Sequence, residues 1–251
     1  MGLAQPSSPT ATDIQGLFDR IAPVYDSLNE RLSFGLHRVW KRMAVRWSGA
    51  APGHTTLDLC CGSGDLALML ARAVGSTGTV YGLDFSAELL GVAAKRWSKI
   101  CPPGLEHPTQ LPNQIHWVRG DALALPFEDS SIDAATMGYG LRNLTDIPQG
   151  LAELRRVLKS GASAAILDFH RPQGGLAQQF QRWYLDTLVV PTAQSMGLSD
   201  EYAYIGPSVE RFPTGPEQVE LAHQAGFARA IHYPIAGGLM GVLVVGCHDR
   251  V

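Results

Sequence analysis

The run Leu57-Asp58-Leu59-Cys60-Cys61-Gly62-Ser63-Gly64-Asp65 places two glycines between a short apolar stretch and a periodic one. Gly62 and Gly64 let the backbone turn tightly and approach a ligand, and free N–H groups at a helix start suit an anionic or polar group. A Gly-x-Gly pair alone is a weak sign, but a strand–turn–helix setting points to a nucleotide-like ligand. Asp84 ends a second apolar stretch twenty residues after Gly64. There a carboxylate can accept both hydrogens of a ribose diol; the competing reading is a helix N-cap. The third piece is Gly120-Asp121-Ala122, where an Asp side chain and the next N–H can bond an adenine edge.

These residues need a scaffold, and the pattern predicts one. Strands are expected at 55–60, 79–84, 115–119, 132–138 and 163–169, with helices at 65–74, 87–97, 147–158 and 217–225. The alternation implies an α/β fold, a mainly parallel sheet with helices on both faces. Strands at 229–234 and 239–247 flank Ala236-Gly237-Gly238 and predict an antiparallel end to the sheet. Ahead of the sheet, 13–28 carries Ile14, Leu17, Phe18 and Ile21 at helical spacing, broken by Pro23. A second helix at 33–47, begun by Ser33, has Leu36, Val39, Trp40 and Met43 as its apolar members. His37, Arg38, Lys41, Arg42 and Arg46 make it the most basic stretch. Residues 1–12 read as a tail, 13–251 as one domain, and 171–213 as a helical insertion over the site carrying Trp183, Tyr184, Leu185, Leu188 and Val189.

Composition sets outer limits. With 251 residues, 45% hydrophobic and 17% charged, the chain can build one sizeable core. A formal net charge of -3 gives no global reason to bind nucleic acid. The four cysteines show no zinc spacing and read as free thiols in a reducing compartment. The apolar run at 239–246 is far shorter than the roughly 20 residues that span a bilayer. Expected is a cytoplasmic protein that can meet a membrane surface peripherally through the basic helix.

Two cofactors fit the glycine turn. Residues 62–67 also match a loose Gly-x-Gly-x-x-Ala dinucleotide pattern, which would make the chain an NAD(P)-dependent oxidoreductase. S-adenosylmethionine is favoured because acidic Asp58 suits a sulfonium charge, and Asp121-Ala122 gives an adenine site with no second nucleotide half. Asp58 either orders the loop or holds the amino-acid end.

Two long segments, 25–40 (YDSLNERLSFGLHRVW) and 156–170 (RVLKSGASAAILDFH), resemble the ubiquinone/menaquinone biosynthesis methyltransferase family. Leu28 stands where that family has Met, and Ala162 where it has Gly. Residues 137–143 (MGYGLRN), Tyr202 and Tyr204 leading to Ser208, and Phe212-Pro213 extend the likeness. The end, 236–244 (AGGLMGVLV), resembles the branch from oxygenic phototrophs, whose acceptor is a phytyl naphthoquinone precursor.

The resemblance implies the class I methyltransferase fold, Rossmann-like, with a seven-stranded sheet parallel except for one strand of the final hairpin. It implies cofactor contacts at Ser63, Asp84, Asp121 and Ala122. It also implies C-methylation of a prenylated naphthoquinol, with a benzoquinol of the ubiquinone or plastoquinone side as the alternative. An oxidised quinone is too electron-poor to attack, so the expected acceptor is the quinol reacting as a phenolate. Arg142 is then the candidate to stabilise the phenolate, against a plain salt bridge to Asp146 or Glu153. Asn143 can orient a ring oxygen or a water. Tyr25 can act as acid/base or pack as an aromatic, and His170 can accept a proton or serve structurally.

Overall fold

The computed structural model describes Gly16, Ser33, residues 35–101, 111, 115–172, 174–184, 187, 191 and 205–248. The expected tail, Tyr25 with nearly all of the 13–28 helix, Tyr202 and Tyr204, and Leu185, Leu188 and Val189 of the insertion lie outside the described residues.

Seven strands form one sheet: β1 (Thr55–Leu59), β2 (Thr79–Asp84), β3 (Ile115–Arg119), β4 (Ile132–Gly138), β5 (Leu158–Phe169), β6 (Arg229–Ile235) and β7 (Met240–Gly246). Their order is β3-β2-β1-β4-β5-β7-β6. The strands from β3 to β5 pair in parallel, and β7 runs antiparallel to both β5 and β6. This is the arrangement expected from the alternating pattern and its closing turn. Central strands covered on both faces need apolar residues on both sides. Leu57 and Leu59 of β1, Met137 of β4 and Leu243 of β7 fill one face, and Val80 of β2, Leu167 of β5 and Val242 of β7 the other.

The helices are α1 (His37–Trp47), α2 (Asp65–Val74), α3 (Ala87–Ile100), α4 (Ile147–Val157), α5 (Gly175–Tyr184), α6 (Ile205–Arg211) and α7 (Gly215–Gln224). Two apolar clusters result. Leu57, Met137, Leu154, Phe227 and Leu243 fill one, which includes α4 side chains; Ala44, Leu70, Val74, Val80 and Val242 fill the other, with α1 and α2 side chains. Capping sets several helix starts. Asp146 accepts the Gln149 N–H at α4, and Thr214 with Glu217 forms a capping box at α7.

Two elements differ from the sequence reading. Strand β5 starts at Leu158 rather than at 163, because pairing jumps from Ile132↔Leu158 to Ala134↔Ser163. Gly161 at φ +81° sits in the skipped stretch, a conformation that costs glycine little. Helix α1 begins at His37 instead of 33. Ser33 lies in a turn before it, and its hydroxyl accepts the His37 N–H at 3.2 Å.

The buried face of α1 is also not the expected one. It consists of His37, Lys41, Ala44 and Val45, while Leu36 and Val39 are 50% and 41% exposed. Lys41 is only 4% exposed, so it does not belong to the basic surface with Arg38, Arg42 and Arg46. The geometric reason is that 41, 44 and 45 share one side of the helix. His37, whose ring contacts the Ser33 hydroxyl at 2.7 Å, is a packing residue.

Candidate active site

In an open α/β sheet, ligands bind beyond the carboxyl ends of strands where the strand order reverses. Here that point is β1, with β2 on one side and β4 on the other. The glycine turn follows β1 directly. Three of its residues take left-handed conformations: Cys60 at φ +54°, Gly62 at +53° and Gly64 at +85°.

The two glycines serve different ends. A Cβ on Gly64 would lie 2.8 Å from the Trp117 ring and 3.0 Å from Ala93. Gly82, on the neighbouring strand, would put a Cβ 2.6 Å from the same indole. Gly64 is therefore small to admit Trp117 beneath the turn. Around Gly62 no atom lies within 4 Å of that position, so its backbone faces open space where a ligand can approach. The sequence pattern reads both glycines as ligand-facing; the structure separates them.

Carboxylates organise this turn. Asp58 is 1% exposed; its two oxygens accept the Ala67 N–H at 2.9 Å and the Thr136 hydroxyl at 2.8 Å. Burial pushes its carboxyl up to about 7. Of the two roles open for Asp58, the geometry supports ordering the start of α2. Asp84 accepts the Gly62 N–H at 2.8 Å and the Ser86 N–H at 3.0 Å. The N-cap of α3 is Ser86, which accepts the Leu89 N–H, so the competing reading of Asp84 falls to its neighbour.

One expectation needs correction. The N–H groups of Gly62 and Gly64 are not free for an anion, because Gly62 donates to Asp84 and Gly64 to the Cys61 carbonyl at 2.9 Å. Asp65 is neutralised by Lys41 and Arg96, and Asp58 is buried behind the turn, so Asp84 is the acid that suits a hydroxyl-bearing ligand there. Burial holds both thiols, Cys60 and Cys61, well above the usual range, so they stay neutral there.

Asp121 and Ala122 lie in the turn after β3. Asp121 is exposed and accepts the Leu123 N–H at 2.9 Å, while Ala122 is buried. The Gly120 N–H bonds the Asp84 carbonyl at 3.1 Å, which brings the third piece beside the second. Ser63 is buried, its hydroxyl and carbonyl both accepting from Arg96 at 3.0 and 2.8 Å.

A second cluster sits at the ends of β4 and β5. After β4 the chain makes a single 3-10 turn, Leu141–Asn143. The Arg142 guanidinium donates to Asp168 Oδ1 at 2.6 Å and to the Tyr139 carbonyl at 2.9 Å, both ionic side chains being almost fully buried. The Phe169 ring lies 5.1 Å from the guanidinium carbon. Neither alternative partner is used. Asp146 caps α4, and Glu153 bonds Arg156 and the Leu125 N–H. Asn143 donates to the Tyr139 carbonyl at 2.9 Å.

His170 follows β5. Its N–H bonds the Leu239 carbonyl, and its own carbonyl accepts from Gln181 at 2.6 Å. Its ring lies tilted against that of His232, centroids 5.0 Å apart, and burial lowers the pKa of both, His232 to about 4. Asn143 Oδ1 and His170 Nδ1 are buried atoms with no hydrogen-bond partner among the described residues.

Sequence reasoning missed Asp168, although an acid near the carboxyl end of the strand beside Arg142 is a findable signal. It also missed Arg96, His232 and Trp117, whose partners are far away in sequence and close only across the folded sheet.

The cofactor can be tested against this geometry. Open backbone at Gly62, buried acids behind it and the Asp121 turn beside Asp84 fit S-adenosylmethionine, and no second nucleotide half is needed. Comparison with known proteins agrees. The model of the ubiE/COQ5 methyltransferase family matches residues 7–246. A 2-phytyl-1,4-naphtoquinone methyltransferase of Trichormus variabilis is 61% identical over 233 residues, covering 93% of this chain and 98% of that one. A chloroplastic 2-phytyl-1,4-beta-naphthoquinone methyltransferase of Arabidopsis thaliana is 51% identical, covering 91% and 85%. The crystal structure of a SAM dependent methyltransferase from Aquifex aeolicus shares the fold, with TM-score 0.57 and 21% identity over 83% of this chain and 89% of that one. With its glycine turn on a seven-stranded sheet, the chain belongs to the ubiE/COQ5 methyltransferase family and uses S-adenosylmethionine as its cofactor.

Proposed function

We propose that the chain methylates a ring carbon of a phytyl-type naphthoquinol, the reaction class named for its relatives. The observation that carries this reading is a buried polar cluster of Arg142, Asn143 and His170 at the ends of β4 and β5. Two buried polar atoms there, Asn143 Oδ1 and His170 Nδ1, have no partner among the described residues. Buried polar atoms are almost always hydrogen-bonded in native proteins, so such orphans fit a site completed by a ligand. A quinol that reacts as its phenolate keeps one hydroxyl donor for Asn143 Oδ1, and the ring carbon's proton is left for His170 Nδ1.

S-adenosylmethionine, when bound, supplies an electrophilic methyl group. Asp84, Asp121 and Ala122 would hold its adenosine, with Gly62 and Ser63 in the turn and Asp58 fixing that turn from behind. At the acceptor, one quinol hydroxyl gives its proton to water, and Arg142 stabilises the resulting phenolate, which makes the ring carbon nucleophilic. Asn143 orients a ring oxygen. His170 is kept neutral by burial, so it can accept the proton the ring carbon sheds as aromaticity returns. Tyr25, outside the described residues, belongs to the same reading as a candidate acid/base.

A lipid acceptor lives in a membrane, and α1 presents a matching surface. Leu36 and Val39 are exposed beside Arg38, Arg42 and Arg46, and Trp183 of α5 is also exposed. Apolar and cationic side chains together on one helix suit peripheral contact with anionic lipid. Among the described residues no helix is long and apolar enough to cross a membrane. Flotation with anionic and neutral vesicles tests this: binding to anionic vesicles alone is expected, and no binding to either removes the idea.

The acceptor is tested by transfer of labelled methyl to a chemically reduced demethyl-naphthoquinol, with the oxidised naphthoquinone and a prenylated benzoquinol beside it. Label in the naphthoquinol alone is expected. Label in the benzoquinol alone moves the chain to the benzoquinone side of the family. Label in the oxidised quinone overturns the phenolate mechanism.

A further inference from the structure

We propose that Lys41 is a positioning residue for methyl transfer, fastening the N-terminal helix to the cofactor turn and that turn to the segment carrying Arg142. The inference rests on the cofactor site at the glycine turn and stands whichever quinol is the acceptor.

Lys41 reaches from the buried face of α1 to Asp65, its Nζ donating to Oδ2 at 2.6 Å. Asp65 is the first residue of α2, directly after Gly64. Its other oxygen accepts from Arg96 at 2.5 Å. Arg96 in turn holds the Ser63 carbonyl and hydroxyl. Both ends of the Ser63–Asp65 turn are thus clamped by cations from different helices, one of them in the N-terminal segment. Burial alone would raise the Asp65 carboxyl, yet Lys41 and Arg96 together bring it down to about 2.

The same ammonium lies 5.8 Å from the centroid of the Tyr139 ring. The Tyr139 carbonyl accepts from both Arg142 and Asn143. Tyr139 itself sits at φ +60°, a conformation a tyrosine holds only when its surroundings fix it. Lys41 therefore touches the cofactor turn on one side and, through one aromatic ring, the acceptor-side turn on the other.

Packing alone does not call for a lysine here. Replacing a buried ion pair by apolar residues of similar size is often neutral or stabilising, so glue between α1 and α2 is better made from Leu or Met. A buried ammonium is better explained by what it fixes. Met fills the space without the charge and leaves Asp65 paired with Arg96, so Lys41→Met tests what the ammonium fixes rather than stranding a buried carboxylate.

The experiment measures S-adenosylmethionine affinity by calorimetry on the folded full chain, which needs no acceptor, together with KM and kcat for the quinol. Lys41→Met is expected to weaken cofactor binding about tenfold and to lower kcat, with the quinol KM changed less than threefold. Lys41→Arg, which keeps a cation within reach of Asp65, is expected to recover most of the affinity. Arg96→Met is expected to weaken binding in the same direction. Lys159→Met is the control: it breaks the Lys159–Asp133 pair, whose Asp133 accepts the Thr55 N–H at the start of β1, and should leave cofactor affinity unchanged. Lys41→Met with unchanged affinity and kcat overturns the proposal. So does an equal loss in Lys159→Met, or a Lys41→Arg that behaves like Met. If Lys41→Met does not fold, Lys41→Gln and the Lys41→Arg rescue carry the same comparison.

Discussion

One carboxylate, that of Asp168, holds Arg142 at two points: its Oδ2 accepts the Arg142 backbone N–H at 3.2 Å and its Oδ1 the guanidinium at 2.6 Å. Oδ1 also accepts the Phe169 N–H at 2.8 Å. The turn after β4 is therefore tied to the end of β5, and the arginine is aimed by its neighbour strand.

Asp168→Asn keeps the size of the side chain and removes its charge. Breaking one member of a buried pair typically costs about 3–5 kcal/mol, so a lowered melting temperature is expected. In protein that remains folded, kcat should fall on the order of 10²-fold while cofactor affinity holds, since the hydrogen bonds of Asp168 go to Arg142 and its own strand end rather than to the glycine turn. Steady-state kinetics with calorimetry checks this; a loss of cofactor affinity alone would contradict it. Arg142→Ala is expected to lose on the order of 10²–10³ in kcat, and normal turnover would end the phenolate assignment.

Gly62→Ala and Gly64→Ala should fail in opposite ways. At Gly64 both the left-handed backbone and the Trp117 ring oppose a methyl group, so stability should drop by about 1–3 kcal/mol. At Gly62 only the backbone term applies, roughly 1 kcal/mol, and the new methyl points into open space. Cofactor affinity should then fall by about tenfold or more in Gly62→Ala, which corresponds to about 1.4 kcal/mol. Denaturant titration and calorimetry on both variants separate the two effects.

Asp58→Asn should be far milder than Asp58→Ala. An amide can still accept the Ala67 N–H and meet the Thr136 hydroxyl. The Ala variant leaves two buried groups unsatisfied, at about 1–3 kcal/mol each. Equal destabilisation of both variants by denaturant titration would show that the charge, not the hydrogen bonds, matters at this position.

His232 gives the protein an acid limit. Its ring sits where a Cβ on Gly215 or Gly241 would fall, at 2.7 and 2.4 Å, and its pKa is lowered from 6.5 to about 4, by burial first and by His170 second. A depressed histidine binds its proton more weakly when folded. The stability it contributes is complete above about pH 6.5 and is lost as pH falls toward 4. A partly exposed ring reduces the full linkage value, leaving a loss on the order of 2 kcal/mol. Melting temperatures across that range should fall less steeply in His232→Gln than in the parent.

Much of the fold was legible because its signals are local. Strand β2, β3, β4 and helix α2 fall at the residues that alternation and turn chemistry point to. The start of β5 was hidden because the residues that fix it, Ile132 and Leu158, lie on different parts of the chain and meet only by pairing. The cofactor acids Asp58 and Asp84 were visible from strand ends. What they bond was not, since the Ala67 and Gly62 N–H groups become partners only once the turn has closed. Lys41 was misread for a related reason. A basic run says nothing of which lysine turns inward, and Asp65 is twenty-four residues away.

The late position of β7 in the chain bears on how the protein is made. Asp168 and Phe169 pair with Gly241 and Met240, and the His170 N–H reaches the Leu239 carbonyl. A ribosome adds about 5–20 residues per second, so the half of the sheet from β3 to β4 emerges seconds before residues 239–246 do. During that interval the edge of β5 stays unpaired on the side β7 will fill. The methyl-donor half can thus be assembled first, while the acceptor half waits for β7 and exposes an apolar strand edge until it arrives. Residues 239–246 are accordingly where a slow codon, a truncation or a bulky fusion would harm yield more than cofactor binding.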